Sequence, residues 1–374
     1  MNNEFLTMQN IARQTLLTLQ DNLVLPNLCY RDFSDAYTDM GDTIQVRKPV
    51  VLEAHEFTDG DTVNRSALKE SSVPVTLSTI ATVDVGWSAL EGATQMNESK
   101  LQRDFIAPAA QALAEKINGD GLRLYRKIIN HSGQAGTTPS GLADFSAIRK
   151  QLNQNRAPLA GRVAIWDVEA DASFSEIQGL TKVCEAGTAQ TLREGEIGRL
   201  YGLDNYMSQA VQTHKAGTLT ATGNGIKVKT AITNQMEVTL STTASGTLTG
   251  TLKAGDRLTF GTAYGLVAQD VTASGNEVTV PLLAPLTVSA GTAVTLDSDY
   301  TANLAFHQNA IAFVSRPLLL PKGVEAYVAT DRHNGISLRV FRGFNTETKR
   351  EVMTMDVLYG FALLYPELAM VYRG

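Results

Sequence analysis

Apolar residues along the first twenty-odd positions recur at steps of three and four. In "EFLTMQNIARQTLLTLQDNL", Phe5, Met8, Ala12, Leu16, Leu19 and Leu23 fall on one face of a predicted helix, which Pro26 brings to an end. A period of two takes over in "TIQVRKPVVLEAHE", residues 43–56, which puts Ile44, Val46, Val50 and Leu52 on one side of a strand, with Pro49 marking it as an edge. "VPVTLSTIATVDVGW", residues 73–87, repeats the alternation, and the polar "FTDGDTVNRSALKESS" lies between the two. Together they predict a long two-stranded arm with a charged tip. Such a hairpin is marginal alone and needs another surface to lie on.

Four-residue steps return at Leu101, Phe105, Ala109, Leu113 and Ile117, after Asn97 as N-cap, and predict the longest helix of the chain. Pro108 is placed to kink it, and Gly119 and Gly121 to break it before Leu122. Residues 142–215 alternate short helices with short strands, an α+β or α/β rhythm. At about residue 218 that rhythm stops. Residues 218–297 hold 18 threonines and no tryptophan, histidine or cysteine, with glycine corners at "GNG", "KAGD" and "SGN", which predicts a compact β-barrel or sandwich. The mixed pattern then resumes in strand-rich segments through "EVMTMDVLYGFALLYPELAMVYR". The expectation is an α+β or α/β domain interrupted by an inserted all-β barrel or sandwich domain.

Composition narrows the function. The 374 residues are 43% hydrophobic and 19% charged with a formal net charge of -6, so the chain is globular and is not built to coat a polyanion by bulk attraction. Its two cysteines, Cys29 and Cys184, are too few for a disulfide framework and point to a reducing cytoplasm. The first residues lack the pattern of a signal peptide, and no apolar run reaches the roughly 18 residues of a membrane span, so no membrane partner is expected.

Catalytic motifs are missing. The histidines at 55, 131, 214, 307 and 333 are scattered, so no zinc site is expected, and phosphate-loop, nucleophile-elbow and dinucleotide signatures lack their central residues. Glu53, His55 and Glu56 in "EAHE" do not share one strand face, and "TDGDTVN" lacks the later glutamate and flanking helices of a calcium loop. "RVFRGFNTETKR", with Arg339, Arg342, Lys349 and Arg350, reads as a hairpin with solvated charges over buried Phe341 and Phe344, rather than as a base-stacking surface. No enzyme activity, cofactor or metal is expected.

The order of the parts, helix, long hairpin, long helix, α/β middle and strand-rich ending, resembles the major capsid proteins of tailed phages, the Hong Kong 97-type fold. "EIGRLYGLDNYMSQAV" is similar to the axial-domain stretch of that family through Gly198, Gly202, Tyr206 and Ser208. "FHQNAIAFVSRPL" resembles its returning strand through Phe306, His307, Ala310, Ile311, Ala312 and Arg316, and the final segment its closing strands through Asp356, Tyr359, Gly360, Pro366 and Glu367. The inserted module resembles the short-tailed-phage coat protein type.

The resemblance implies an N-terminal arm at 1–42, an E-loop hairpin at 43–87, and a peripheral domain with a spine helix at 88–141. It further implies an axial domain at 142–217 and 302–374 around the inserted barrel at 218–301. It implies copies of the chain joined as hexamers and pentamers in an icosahedral head, with scaffolding and portal proteins as partners. It also implies weak contact with packaged double-stranded DNA, and assembly in the bacterial cytoplasm before the chain becomes part of the virion. Asp59, Asp61, Arg65, Lys69 and Glu70 at the hairpin tip become either charge partners between subunits or a solvated loop, since exposed ion pairs contribute only ~0–1 kcal/mol each. Phe5, Leu16 and Leu19 become the contacts of the arm. Lys69 lacks an identifiable glutamate and asparagine for a covalent crosslink. The rival from another class is a β-rich adhesin or carbohydrate-binding protein with the module as its head, for which Phe260, Tyr264 and nearby Tyr300 supply few stacking rings.

Overall fold

The structure is a computed structural model that describes residues 8–31, 43–48, 71–88, 105–182, 193–223, 225–242, 246–331, 335–348 and 350–374. The chain divides into two compact units, Met1–Ile117 with Ile311–Leu364, and Asn118–Ala310 with Tyr365–Gly374.

In the first unit, the helix Met8–Asn22 buries Ile11, Ala12, Thr15, Leu16 and Leu19, the face that the three-and-four spacing predicts. It packs on the strands Glu325–Thr330 and Ser337–Asn345. Those strands belong to a five-stranded antiparallel sheet whose centre is the long strand Arg350–Leu363, with Ser337–Asn345 and Ile311–Arg316 along one side and Thr79–Ser88 along the other.

The hairpin pairing is antiparallel, from Thr43 opposite Thr76 to Lys48 opposite Ser71. Its base does not stand alone. Val46, Val75 and Leu77 are buried, and a Cβ on Gly360 of the central strand would lie 2.6 Å from the Thr76 carbonyl oxygen, so only glycine admits this approach. The strand expected over 73–87 is in fact two strands. Its first half, Ser71–Thr76, pairs in the hairpin, and after Leu77 and Ser78 the chain joins the sheet as Thr79–Ser88.

The long helix runs from Ala107 to Leu122 and tightens into a 3-10 turn over Arg123–Lys127. Asn97, its expected N-cap, lies outside the described residues. Pro108 is the second residue of that helix and directly follows a π-helical pair, Phe105 and Ile106, the local widening that lets a chain accommodate a missing N–H. Gly119 and Gly121 do not break the helix, because buried Leu122 and Tyr125 follow on the stripe set by Leu113 and Ile117.

The second unit is built on a seven-stranded mixed sheet in the order Asn130–Gly133, Ala369–Arg373, Tyr300–His307, Arg162–Trp166, Leu203–Met207 and Arg199–Leu200, with Thr213–His214 also paired to Tyr300–His307. The two-residue turn between Arg199–Leu200 and Leu203–Met207 has positive φ at Tyr201 and Gly202, the geometry of a tight antiparallel turn. The helices Leu142–Gln154 and Val168–Ser175 bring Phe145 and Phe174 to Trp166, with ring centroids 4.5–5.3 Å apart. Asp144 holds the start of the first helix by accepting the Ser140 and Gly141 amides at 2.9 Å each, and Asp167 caps the second through the Glu169 amide.

Between Thr213–His214 and Tyr300–His307 the chain forms a β-module of nine strands between Thr220 and Leu296. Six of them make one sheet and three, Thr220–Ala221, Leu248–Leu252 and Val271–Gly275, make another. Both sheets contribute to one hydrophobic cluster that includes Leu219, Val238, Leu240, Leu248, Leu258, Val280 and Leu282. Threonines face outward. Thr218, Thr220 and Thr222 stand opposite Thr251, Thr249 and Thr247, with hydroxyl oxygens 3.1–3.5 Å apart.

Candidate functional site: a buried polar neck at the base of the β-module

The strands entering and leaving the module are paired side by side, His214 opposite Tyr300. Around that pair the interior turns polar. The His214 imidazole, 1% exposed, lies 2.8 Å from the Tyr125 hydroxyl through Nδ1 and 2.7 Å from Asp256 Oδ1 through Nε2. Arg126 Nε donates to the Tyr125 oxygen at 3.2 Å. The Tyr125 oxygen therefore meets both the guanidinium and the imidazole, and Asp256 takes the other ring nitrogen. The imidazole, held between Tyr125 and Asp256, thus joins the 3-10 turn to the module in one chain of hydrogen bonds.

Asp256 closes the "KAGD" turn. Its carboxylate also accepts the Lys253 amide at 2.7 Å and the Gly217 amide at 3.1 Å, so the buried charge is fully hydrogen-bonded. Gly217 must be glycine here, since a Cβ would run into the Thr251 carbonyl oxygen. Tyr300 donates its hydroxyl to the Gly255 carbonyl at 3.0 Å, and burial pushes its ionisation well above the ordinary tyrosine value.

A second group sits alongside. Asp297 accepts from Arg373 of the last strand and, at 3.4 Å, from Arg257 of the module. Arg257 covers the Tyr264 ring at 4.3 Å, and the Tyr264 hydroxyl donates to the Ile129 carbonyl at 3.4 Å. His131 is buried next to them, its Nε2 3.2 Å from the Ile128 carbonyl. Burial, with the charges of Arg373 and Arg257, pushes it down to about 3.

Tyr, His and Asp in sequence resemble a proton relay, yet Tyr125, His214 and Asp256 are each 1% exposed, so no substrate reaches them. The arrangement can hold two elements together. Among the described residues no group of three histidine, cysteine or acidic side chains stands close enough to hold a metal ion, and no helix is long and apolar enough to cross a membrane.

Of the residues expected to make contacts between subunits, Phe5, Asp59, Asp61, Arg65, Lys69 and Glu70 lie outside the described residues, as do "EAHE" and "TDGDTVN". Leu16 and Leu19 lie on the packed face of their helix, at 7% and 0% exposure within the single chain, and Leu17, at 61%, is its exposed large apolar residue. Phe344 is corrected: it is exposed, and Phe341 is only half-buried. The two lie three positions apart on a strand and so face opposite sides. Arg342 bonds Glu351 at the surface, whereas Arg339, expected in solvent, is largely buried, bonds Asp356 and stacks over Phe341. Within the module, Phe260 is buried and Tyr264 lies under Arg257, so neither ring is offered to a sugar.

The stretches that carried the resemblance occupy defined places. The Asn205 side chain ties the Gly198 carbonyl at 2.9 Å and accepts from Trp166 at 3.0 Å, while the Ser208 amide donates to the Trp166 carbonyl. Phe306, Ala310, Ile311 and Ala312 are fully buried, and Asp356 is buried under Arg339 and Thr82.

No protein-family model matches the sequence, and no curated protein does. Solved structures do, and the architecture is one that phage capsid chains share. A chain of Mycobacterium phage Che8 matches with a TM-score of 0.50 and 14% identity, over 94% of this chain and 90% of that one. A chain in the capsid structure of the cyanophage P-SCSP1u matches with a TM-score of 0.50 and 10% identity, over 94% and 88%. At these identities the likeness is one of fold.

Proposed function

We propose that the chain is a major capsid protein whose copies assemble, as hexamers and pentamers, into the icosahedral shell enclosing the double-stranded DNA of a tailed bacteriophage. The observation that carries this reading is the extent of the fold likeness: 94% of this chain aligns with a chain of a phage capsid, so the whole plan is shared rather than one domain. The role is structural and needs no catalysis. In this reading 1–42 is the arm, 43–87 the E-loop, 88–141 the peripheral domain, 142–217 and 302–374 the axial domain, and 218–301 the inserted barrel. The hairpin tip, from Asp59 to Glu70, and Phe5 contact neighbouring copies. Scaffolding and portal proteins are the other partners, assembly is cytoplasmic and the destination is the virion. A net charge of -6 suits a wall that must not grip packed phosphates.

Electron microscopy of the purified chain tests this. Closed shells or rings of five and six copies are expected, alone or with the scaffolding protein encoded beside it. Monomers under every such condition, together with specific binding to a glycan array, would overturn it in favour of the adhesin.

A further inference from the structure

The neck joins two bodies that each have a core of their own. The module has its aliphatic cluster, and the seven-stranded sheet has the aromatic cluster around Trp166. What lies between is hydrogen-bonded and charged, so the joint depends on protonation in a way neither core does.

His131 is the sensitive point. It stands on the strand Asn130–Gly133, in the sheet, and its backbone amide donates to Tyr264 of the module at 3.4 Å. Each element packed against it presents a titratable or charged group. Arg373 comes from the last strand, Arg257 and Tyr264 from the module, Asp297 from the module's final turn, and His214 and Tyr300 from the paired neck strands, with the Tyr300 ring centroid 6.1 Å from its own. Asp297 is the one carboxylate in this group, and it already serves both arginines. Among the described residues Nδ1 of His131 has no hydrogen-bond partner. A proton added there becomes a donor without an acceptor, in a place where two cations share one anion.

We propose that the neck is an acid-opened latch: protonation of His131 sets a third cation beside Arg373 and Arg257 and releases the module, still folded, from the seven-stranded sheet.

The sign follows from linkage. His131 is held below its unfolded value near 6.5, so the closed neck binds fewer protons than the open one at every pH between about 3 and 6.5. Closure is therefore unaffected above about pH 7 and weakens as pH falls. One proton taken up on opening shifts the equilibrium tenfold per pH unit, roughly a hundredfold between neutral pH and pH 4.5.

Hydrogen exchange on the full chain, followed by mass spectrometry from pH 7.5 to 4.5 and corrected for intrinsic rates, reads this directly. In the wild type, peptides covering residues 213–218 and 252–257 should exchange about a hundredfold faster at pH 4.5 than at neutral pH, while those covering 238–241 and 278–282 in the module core keep their protection. The His131→Gln variant can still donate to Ile128 and cannot be charged, so the same neck peptides should change less than about tenfold. Neck and core losing protection together, or a variant that follows the wild type, would overturn the proposal. Should the variant fail to fold, the His131 ring resonances of the wild type decide. Titration near 6.5 in the closed state refutes the latch, and a ring that stays neutral to below pH 4.5 supports it.

Discussion

The two cores of the second unit solve the same packing problem with different residues. Beneath the helices of the seven-stranded sheet the space is filled by rings, with Phe145, Trp166 and Phe174 in mutual contact and Tyr372 against Trp166. In the module Phe260 is the single aromatic ring of a cluster otherwise built from leucine, valine, isoleucine and alanine. Two sheets packed face to face leave a uniform gap that branched aliphatic side chains fill from both sides. A helix laid on a twisted sheet leaves a deeper, uneven one, where a large ring covers more area than any aliphatic residue. Aromatic rings mark where helices meet the sheet, and their scarcity in the module follows from its architecture.

The sharpest way to break that contrast is Trp166→Ala. Loss of a fully buried indole should cost about 3–5 kcal/mol, read in denaturant titrations, and protection should fall in the seven-stranded sheet while the module's core amides persist. If both cores melt together, the distinction between them has no energetic meaning. Next in size is Asp256→Ala, which leaves the Gly217 and Lys253 amides and the His214 imidazole without their acceptor. The expected loss is about 2–4 kcal/mol, with a low-temperature transition assigned to the neck by calorimetry. A single unshifted transition would show that the neck contributes nothing. Smallest is Thr249→Val on the outer face of the module, expected within about 0.5 kcal/mol of wild type. A larger loss would mean that the paired threonine hydroxyls, and not only the aliphatic interior, hold the three-stranded sheet.

How far the fold could be read in advance depended on the range of the interactions that specify it. The helix Met8–Asn22 and the module were legible because their signal is local, a spacing of three and four in one and threonine alternating with valine and leucine in the other. The split of residues 73–87 was not. Val75 and Val83 obey the same alternation, yet the first is paired to Ile44 and the second to Met355, a choice made by distant partners. Phe344 misled because an apolar residue in a strand says nothing about whether its side of the strand is covered. The neck was invisible for a similar reason. Tyr125 and His214 stand 89 positions apart, and His214 and Asp256 42, each unremarkable alone. The one available signal was the "KAGD" corner, whose aspartate does more than turn the chain.

Both sheets are completed by strands that lie late in the sequence. Arg350–Leu363 is the centre of the five-stranded sheet, and Ala369–Arg373 lies between Asn130–Gly133 and Tyr300–His307 in the other. During synthesis these strands leave the ribosome after every partner they pair with, so for most of translation each sheet stays incomplete while the module can already close on itself. A prematurely terminated chain could not finish either sheet, and its unpaired edges would mark it for chaperones and proteases. Competence of the subunit therefore waits on two strands made after all their partners, a checkpoint written into strand order.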